Sequence, residues 1–237
     1  MVPCSVVELR QYTLHPGRRD ELVSLFERTF LESQEAAGIR VLGQFEDLDR
    51  PERFVWFRGF ADMRSRREAL TAFYEGPVWR EHRDAANATM VDSDDVLLLR
   101  PVRPAGGFPR RTRGAVGSRE TSRLLVRIFH RAPGARDLVD FCEDHLGPAF
   151  AGTGAPVLGW LESEHAPNDF PRLPVRASAD VVVCISALPD EGALRRHLAL
   201  LTADLAWAEE VVPALRGKLA GDPEQLVLRA TPRSVLW

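Results

Sequence analysis

Residues 6–14 are rich in β-forming side chains and end at His15-Pro16-Gly17, which reads as a strand closed by a turn. From Arg18 the period changes. Leu22, Leu25, Phe26 and Phe30 fall on one helical face, with Glu21, Arg28 and Glu32 opposite, and Gly38 stops the run. Residues 39–46 and 54–60 read as two further strands. Leu70, Phe73 and Tyr74 mark a second helix, which Gly76-Pro77 interrupts and 78–86 resumes. A last apolar strand, 95–100, runs into Pro101.

The second half repeats this order. A strand over 124–130 precedes Ala132-Pro133-Gly134, and dropping one residue after that turn aligns Leu22, Leu25, Phe26 and Phe30 with Leu138, Phe141, Cys142 and Leu146. Residues 155–163 and 180–187 are the middle strands. Leu194, Leu198, Leu201 and Leu205 form the stripe of the second helix, Trp207 corresponds to Trp79, and 225–229 closes the unit. Each half is thus βαββαβ, the ferredoxin-like order. A sheet with both helices on one side leaves its other face bare, and the apolar residues there need a cover. A second copy in the same chain supplies it. The expected fold is α+β: tandem ferredoxin-like repeats, 1–101 and 122–237, forming an intramolecular dimeric α/β-barrel. A Pro-, Gly- and Arg-rich linker spans 102–121.

Composition removes several function classes. The 31 basic and 34 acidic residues give a net charge of −3, with no clustered positive footprint for nucleic acid. No apolar run has the length of a membrane span, and the opening meets Glu8 and Arg10 too early for a signal-peptide core, so a cytoplasmic protein is expected. Three dispersed cysteines make neither a disulfide framework nor a metal site. Cys142 and His145, three residues apart, are too few ligands for zinc and read as packed core. Nucleotide-binding glycine motifs, a serine-hydrolase elbow and H-E-x-x-H are absent.

The run Val7-Glu8-Leu9-Arg10-Gln11-Tyr12-Thr13-Leu14 with Pro16-Gly17, the strand Trp56-Phe57-Arg58 and the tail Leu97-Leu98-Leu99-Arg100-Pro101 resemble the NIPSNAP family. The resemblance covers the first repeat well and the second in outline. It implies the dimeric α/β-barrel superfamily, which holds cofactor-independent monooxygenases, cyclases and haem-handling proteins, so it speaks for the fold more than for the function.

A duplicated fold carries its own control, because a polar residue replaced by an apolar one in the other copy is not demanded by the fold. Glu8 faces Leu125 in the comparison, Tyr12 faces Phe129, Arg58 falls near Ile185 and His82 at Glu210, while Arg10 keeps its charge as Arg127. Any site is therefore expected in the first repeat. Glu8, Arg10 and Tyr12 share a strand face, and Arg58 and Trp56 belong to the neighbouring strand. Buried, these charges either pair into a register-fixing network or line a wet cavity.

One reading is a cofactor-independent oxygenase, cyclase or isomerase of secondary metabolism, acting on a hydrophobic aromatic or polyketide-like ligand. His82 or Glu8 would be the base, Arg58 or Arg10 would stabilise an oxyanion, Trp56, Tyr74 and Trp79 would form walls, and Asn87 would add polar lining. Alternatives are a non-catalytic binding or scaffold protein, and a haem protein with His82 axial and Arg10 or Arg58 at the propionates. An Arg58 ion-paired in a filled core favours the scaffold; an open cavity reaching Arg58 and His82 favours the enzyme. The Pro-rich loop 166–176 is either a cap on the cavity mouth or a plain insertion. Association of such pseudo-dimers into a homo-oligomer stays open.

Overall fold

The computed structural model describes residues 4–103 and 120–237, so most of the expected linker, 104–119, lies outside the described residues. The first repeat contains β1 (Val6–Leu14), α1 (19–36), β2 (Arg40–Asp47), β3 (Arg53–Phe60), α2 (Met63–Tyr74), α3 (Pro77–Asn87) and β4 (Met90–Pro101). The second contains β5 (Arg123–His130), α4 (138–152), β6 (Val157–Ser163), β7 (Val181–Leu188), α5 (Glu191–Ala203), α6 (207–216) and β8 (Glu224–Ala230).

All eight strands form one closed barrel in the order β1-β3-β2-β8-β5-β7-β6-β4, and every pairing is antiparallel. The halves join at two seams. Phe45–Asp47 of β2 pairs with Leu228–Ala230 of β8, and Leu99–Pro101 of β4 pairs with Leu161–Ser163 of β6. The inward faces fill the barrel: Val7, Leu9, Val55, Phe57, Leu97 and Leu99 from one half meet Val126, Ile128, Val183, Ile185, Leu226 and Leu228 from the other. The cover that the bare sheets required is the other sheet.

Local geometry repeats as well. The left-handed glycines among the described residues form two matched pairs. Gly17 and Gly134 (φ 75° and 87°) make the first turns, and Gly38 and Gly154 (φ 92° and 83°) end the first helices. A π turn lies at aligned positions in both first helices, Phe26–Phe30 in α1 and Cys142–Leu146 in α4. Asp62 and Asp190 each cap the second helix by accepting from the backbone N–H three residues on.

Two expectations are corrected. Leu205 is exposed rather than part of the core stripe, because α5 ends at Ala203 and Asp204 caps the next helix through Trp207 N. His145 is exposed beside Phe141, not packed in the core with Cys142. Among the described residues no helix is long and apolar enough to cross a membrane.

Candidate functional site

The outward face of the first sheet packs under α1, α2 and α3, and the charged residues lie in that layer. The β1–β3 register sets Glu8 opposite Arg58, Arg10 opposite Trp56 and Tyr12 opposite Phe54. Glu8 Oε2 accepts from Arg10 Nη1 and from Arg58 Nε, both at 2.7 Å. Its other oxygen accepts from Nε of Arg66, on the first turn of α2, at 2.6 Å. Glu8, Arg58 and Arg66 are fully buried and Arg10 nearly so. Burial alone would push the Glu8 carboxyl up; the Arg58, Arg10 and Arg66 guanidiniums override it and hold the group well below the usual carboxylate range.

This overturns Glu8 as the base. A carboxylate fixed by three guanidiniums holds no proton and takes none at neutral pH. The charges pair instead of lining a wet cavity.

The second repeat contributes more than a covering sheet. Its β6–β7 loop crosses to the first repeat, where Asn168 Oδ1 and Asp169 Oδ1 accept from Arg66 Nη1 at 3.1 and 2.7 Å. Phe170 is buried against the ring of Tyr74, with centroids 6.0 Å apart. Loop 166–176 is thus a strap over the first repeat. With Asp169 included, three guanidiniums face two carboxylates. Arg58 Nη1 and Arg66 Nη2 have no hydrogen-bond partner, and Arg58 Nη2, though 2.7 Å from Glu8, is poorly aligned for one.

Tyr12 and Trp56 separate this charged layer from a cleft. Arg10 Nε donates to Tyr12 Oη at 3.0 Å, and the Arg58 guanidinium lies 5.1 Å from the centre of the Trp56 ring. On the other side, a small cleft, partly open to solvent, is lined by Tyr12, Leu22, Phe26, Phe30, Gln34, Trp56, Phe73, Tyr74, Trp79, Ala86 and Met90. Burial pushes the Tyr12 phenol up, Arg10 pulls against it, and the net shift is upward, so Tyr12 is a neutral hydroxyl at pH 7.

Trp56, Tyr74, Trp79 and Tyr12 therefore meet around one cleft, with Arg10 and Arg58 behind it. The other candidates do not join them. His82 lies on α3, one third exposed and 3.8 Å from Glu81, and is not part of the lining. Asn87 is exposed at the end of α3. Arg10 and Arg58 lie behind the cleft wall, and neither they nor His82 is among its lining residues. Among the described residues no three His, Cys, Asp or Glu side chains group to hold a metal ion.

Arg66, Asp169 and Gln34 were not among the expected residues. Arg66 had a readable signal: it stands four residues after the cap Asp62, as Leu194 does after Asp190, a charged-for-apolar exchange of the same kind as Glu8 for Leu125.

In the second repeat the same layer holds Arg127 without a carboxylate. Arg127 Nη2 donates to His197 Nε2 at 3.0 Å, its guanidinium stacks 4.3 Å from the Phe150 ring, and Nη1 has no partner. The register sets Ser186 opposite Leu125, so Arg58 corresponds to Ser186, one position beyond Ile185.

The opening of β1, its partner strand Trp56-Phe57-Arg58 and the β4 tail lie side by side in the first sheet. Residues 7–104 match the NIPSNAP family model. The match ends with the first repeat, so the cleft and the buried charges lie in the NIPSNAP-like part. No curated protein matches the chain. Solved structures match it along nearly its whole length. A proposed monooxygenase from Fusobacterium nucleatum subsp. nucleatum is 8% identical, covers 97% of this chain and 94% of its own, and has a TM-score of 0.62. An anthrone oxidase-like protein is 16% identical, with 97% and 93% covered and a TM-score of 0.63. A proposed monooxygenase from Lactobacillus acidophilus is 14% identical, with both chains fully covered and a TM-score of 0.56. At these identities they show that the whole chain, both repeats of it, has the barrel fold.

Proposed function

We propose that the NIPSNAP-like repeat binds a hydrophobic aromatic small molecule in its cleft and stabilises negative charge on it, as a cofactor-independent oxygenase, cyclase or isomerase does. The observation that carries this is the surplus of buried positive charge directly behind Tyr12 and Trp56. Arg10 donates to Tyr12 Oη, which leaves the phenol proton to be donated toward the cleft and makes it a better donor. A fixed donor backed by a buried cation is the arrangement that favours a developing phenolate or enolate.

No carboxylate or histidine lines the cleft, so the substrate would be acidic enough to give its proton to water once its anion is stabilised. The anion of an electron-rich aromatic can react with dioxygen without a cofactor: oxygenation of an anthrone to the quinone leaves the second oxygen atom as water. The names of the neighbours that share this fold fit that class. The test is oxygen uptake with anthrone as substrate. Tyr12→Phe and Arg10→Gln are expected to lower the rate by about 10²-fold each, and unchanged turnover in both would overturn the anion-stabilising role.

A binding protein without turnover is the second reading. Its support is that Arg58 is ion-paired and that the cleft reaches neither Arg58 nor His82. Saturable ligand binding with no oxygen uptake would select it.

A further inference from the structure

Two of the residues that line the cleft carry a buried polar atom with no protein partner. One is a donor, Trp56 Nε1, and the other an acceptor, Gln34 Oε1. Both side chains are almost fully buried, at 2% and 1% exposure. Tyr12 adds a second donor, because its oxygen accepts from Arg10 and its own O–H is uncommitted. The remaining lining is apolar or aromatic apart from Tyr74. An unmatched buried polar atom costs free energy, and such atoms in native folds call for an explanation.

The fold does not explain them. Carried through the alignment of the two first helices, Gln34 corresponds to Phe150, and the strand registers match Trp56 with Cys184 and Tyr12 with Phe129. Tyr12, Gln34 and Trp56 thus all become Phe or Cys in the second repeat.

We propose that the cleft recognises a hydroxylated aromatic ring, with Gln34 Oε1 accepting the ligand's O–H and Trp56 Nε1–H and Tyr12 O–H donating to oxygen on the same ligand. This rests on the aromatic-ligand reading above and adds its polar specificity, with Gln34 as the residue that sets it. An ammonium group could also donate to Gln34, but Arg10, Arg58 and Arg66 outnumber Glu8 and Asp169 behind the wall and repel a cation. A neutral hydroxyl, able to donate and accept from one compact group, meets both demands.

The test is calorimetric titration of the full chain with 2-naphthol and with its methyl ether, 2-methoxynaphthalene, which keeps the rings and the oxygen but has no proton to give. Naphthol is expected to bind at least about tenfold more tightly, the lower end of what an unpaired buried group costs. Gln34→Leu should weaken naphthol binding to the level of the ether and leave the ether unchanged. Equal binding of the two ligands by the wild-type chain overturns hydroxyl recognition while the aromatic cleft stands. A preference that survives Gln34→Leu overturns the role of Gln34. Binding of neither ligand overturns the cleft reading and this inference together. The wild-type comparison does not depend on how the variant folds.

Discussion

The two repeats answer the same problem, a cation buried between sheet and helices, in opposite ways. In the first, Arg10 sits in a network with Glu8, Arg58 and Arg66, and a strap from the other repeat brings Asp169 to it. In the second, Arg127 has only neutral partners, His197, Cys184 and the ring of Phe150. Burial lowers the Arg127 pKa, whereas Arg10, despite burial, is held firmly charged by Tyr12 and Glu8. The repeat whose buried arginine has a carboxylate partner is the one with an aromatic cleft beside it. The fold tolerates one buried arginine without a carboxylate, so the charged set of the first repeat is not demanded by the fold itself.

The largest test of that contrast removes one side of each arrangement. Glu8→Leu strands three buried guanidiniums and is expected to cost about 3–5 kcal/mol or to prevent folding, because breaking a buried pair leaves its partners uncompensated. Arg127→Met removes a desolvated cation that has no carboxylate, and is expected to change stability by about 1 kcal/mol or less, because apolar replacements of buried ionic groups are often neutral. Urea denaturation of both variants measures the difference. Equal losses would show that the two layers are energetically alike and that pairing is not what distinguishes them.

Acid should separate the repeats next. His197 Nε2 accepts from Arg127, so its proton is on Nδ1, which donates to Thr153 Oγ1 at 2.7 Å. Burial, with Arg127 adding to it, lowers the His197 pKa from 6.5 to about 4. The unfolded chain therefore binds the proton first, and stability falls as pH drops from about 6.5 toward 4, by about 3 kcal/mol over the full shift. Glu8 is depressed too, but as a carboxylate: its contribution is complete above the ordinary value near 4.3 and is lost only below it. Between pH 6.5 and 4.5 the loss thus belongs to the second repeat. His197→Gln should flatten the urea midpoint across that window, and a slope unchanged in the variant would assign the acid sensitivity elsewhere.

How far the sequence showed this arrangement depends on which residues are followed. Most strands were legible because their residue types suit a pleated sheet and their ends coincide with Pro, Gly or a polar turn, but β4 begins at Met90, five residues before the expected 95, through the polar run Asp92-Ser93-Asp94 that reads as loop. The doubling was legible because both halves carry Pro-Gly after the first strand, and the left-handed φ of Gly17 and Gly134 gives the physical reason. Glu8, Arg10, Tyr12 and Arg58 could be placed on one layer by strand alternation alone. The role of Glu8 could not, because its basicity depends on how many guanidiniums surround it, and Arg66 lies hidden in the run Arg64-Ser65-Arg66-Arg67, which reads as a solvated helix face. Asp169 lies in a loop without periodicity, where no pattern indicates which repeat it will reach. Leu205 misled because a leucine stripe at helical spacing continues past Asp204, which starts a new helix instead.

A small expected effect on stability is also the most direct probe of what the polar layer is for. Tyr12→Phe installs the residue that the second repeat has at Phe129, so the ring and its packing against Phe54 and Trp56 stay. The loss is one acceptor for Arg10 Nε, at a cost of about 1 kcal/mol, since Arg10 keeps Glu8 and the Ser93 carbonyl. The reciprocal change, Phe129→Tyr, pushes a hydroxyl into a packed apolar cluster and is expected to cost about 1–3 kcal/mol. If Tyr12 serves the cleft, Tyr12→Phe weakens naphthol binding out of proportion to its small stability loss, whereas Phe129→Tyr lowers stability and leaves binding alone. Should Tyr12→Phe instead destabilise as much as Phe129→Tyr and bind naphthol normally, the hydroxyl would belong to the packing of the layer, and the two repeats would differ in sequence without differing in purpose.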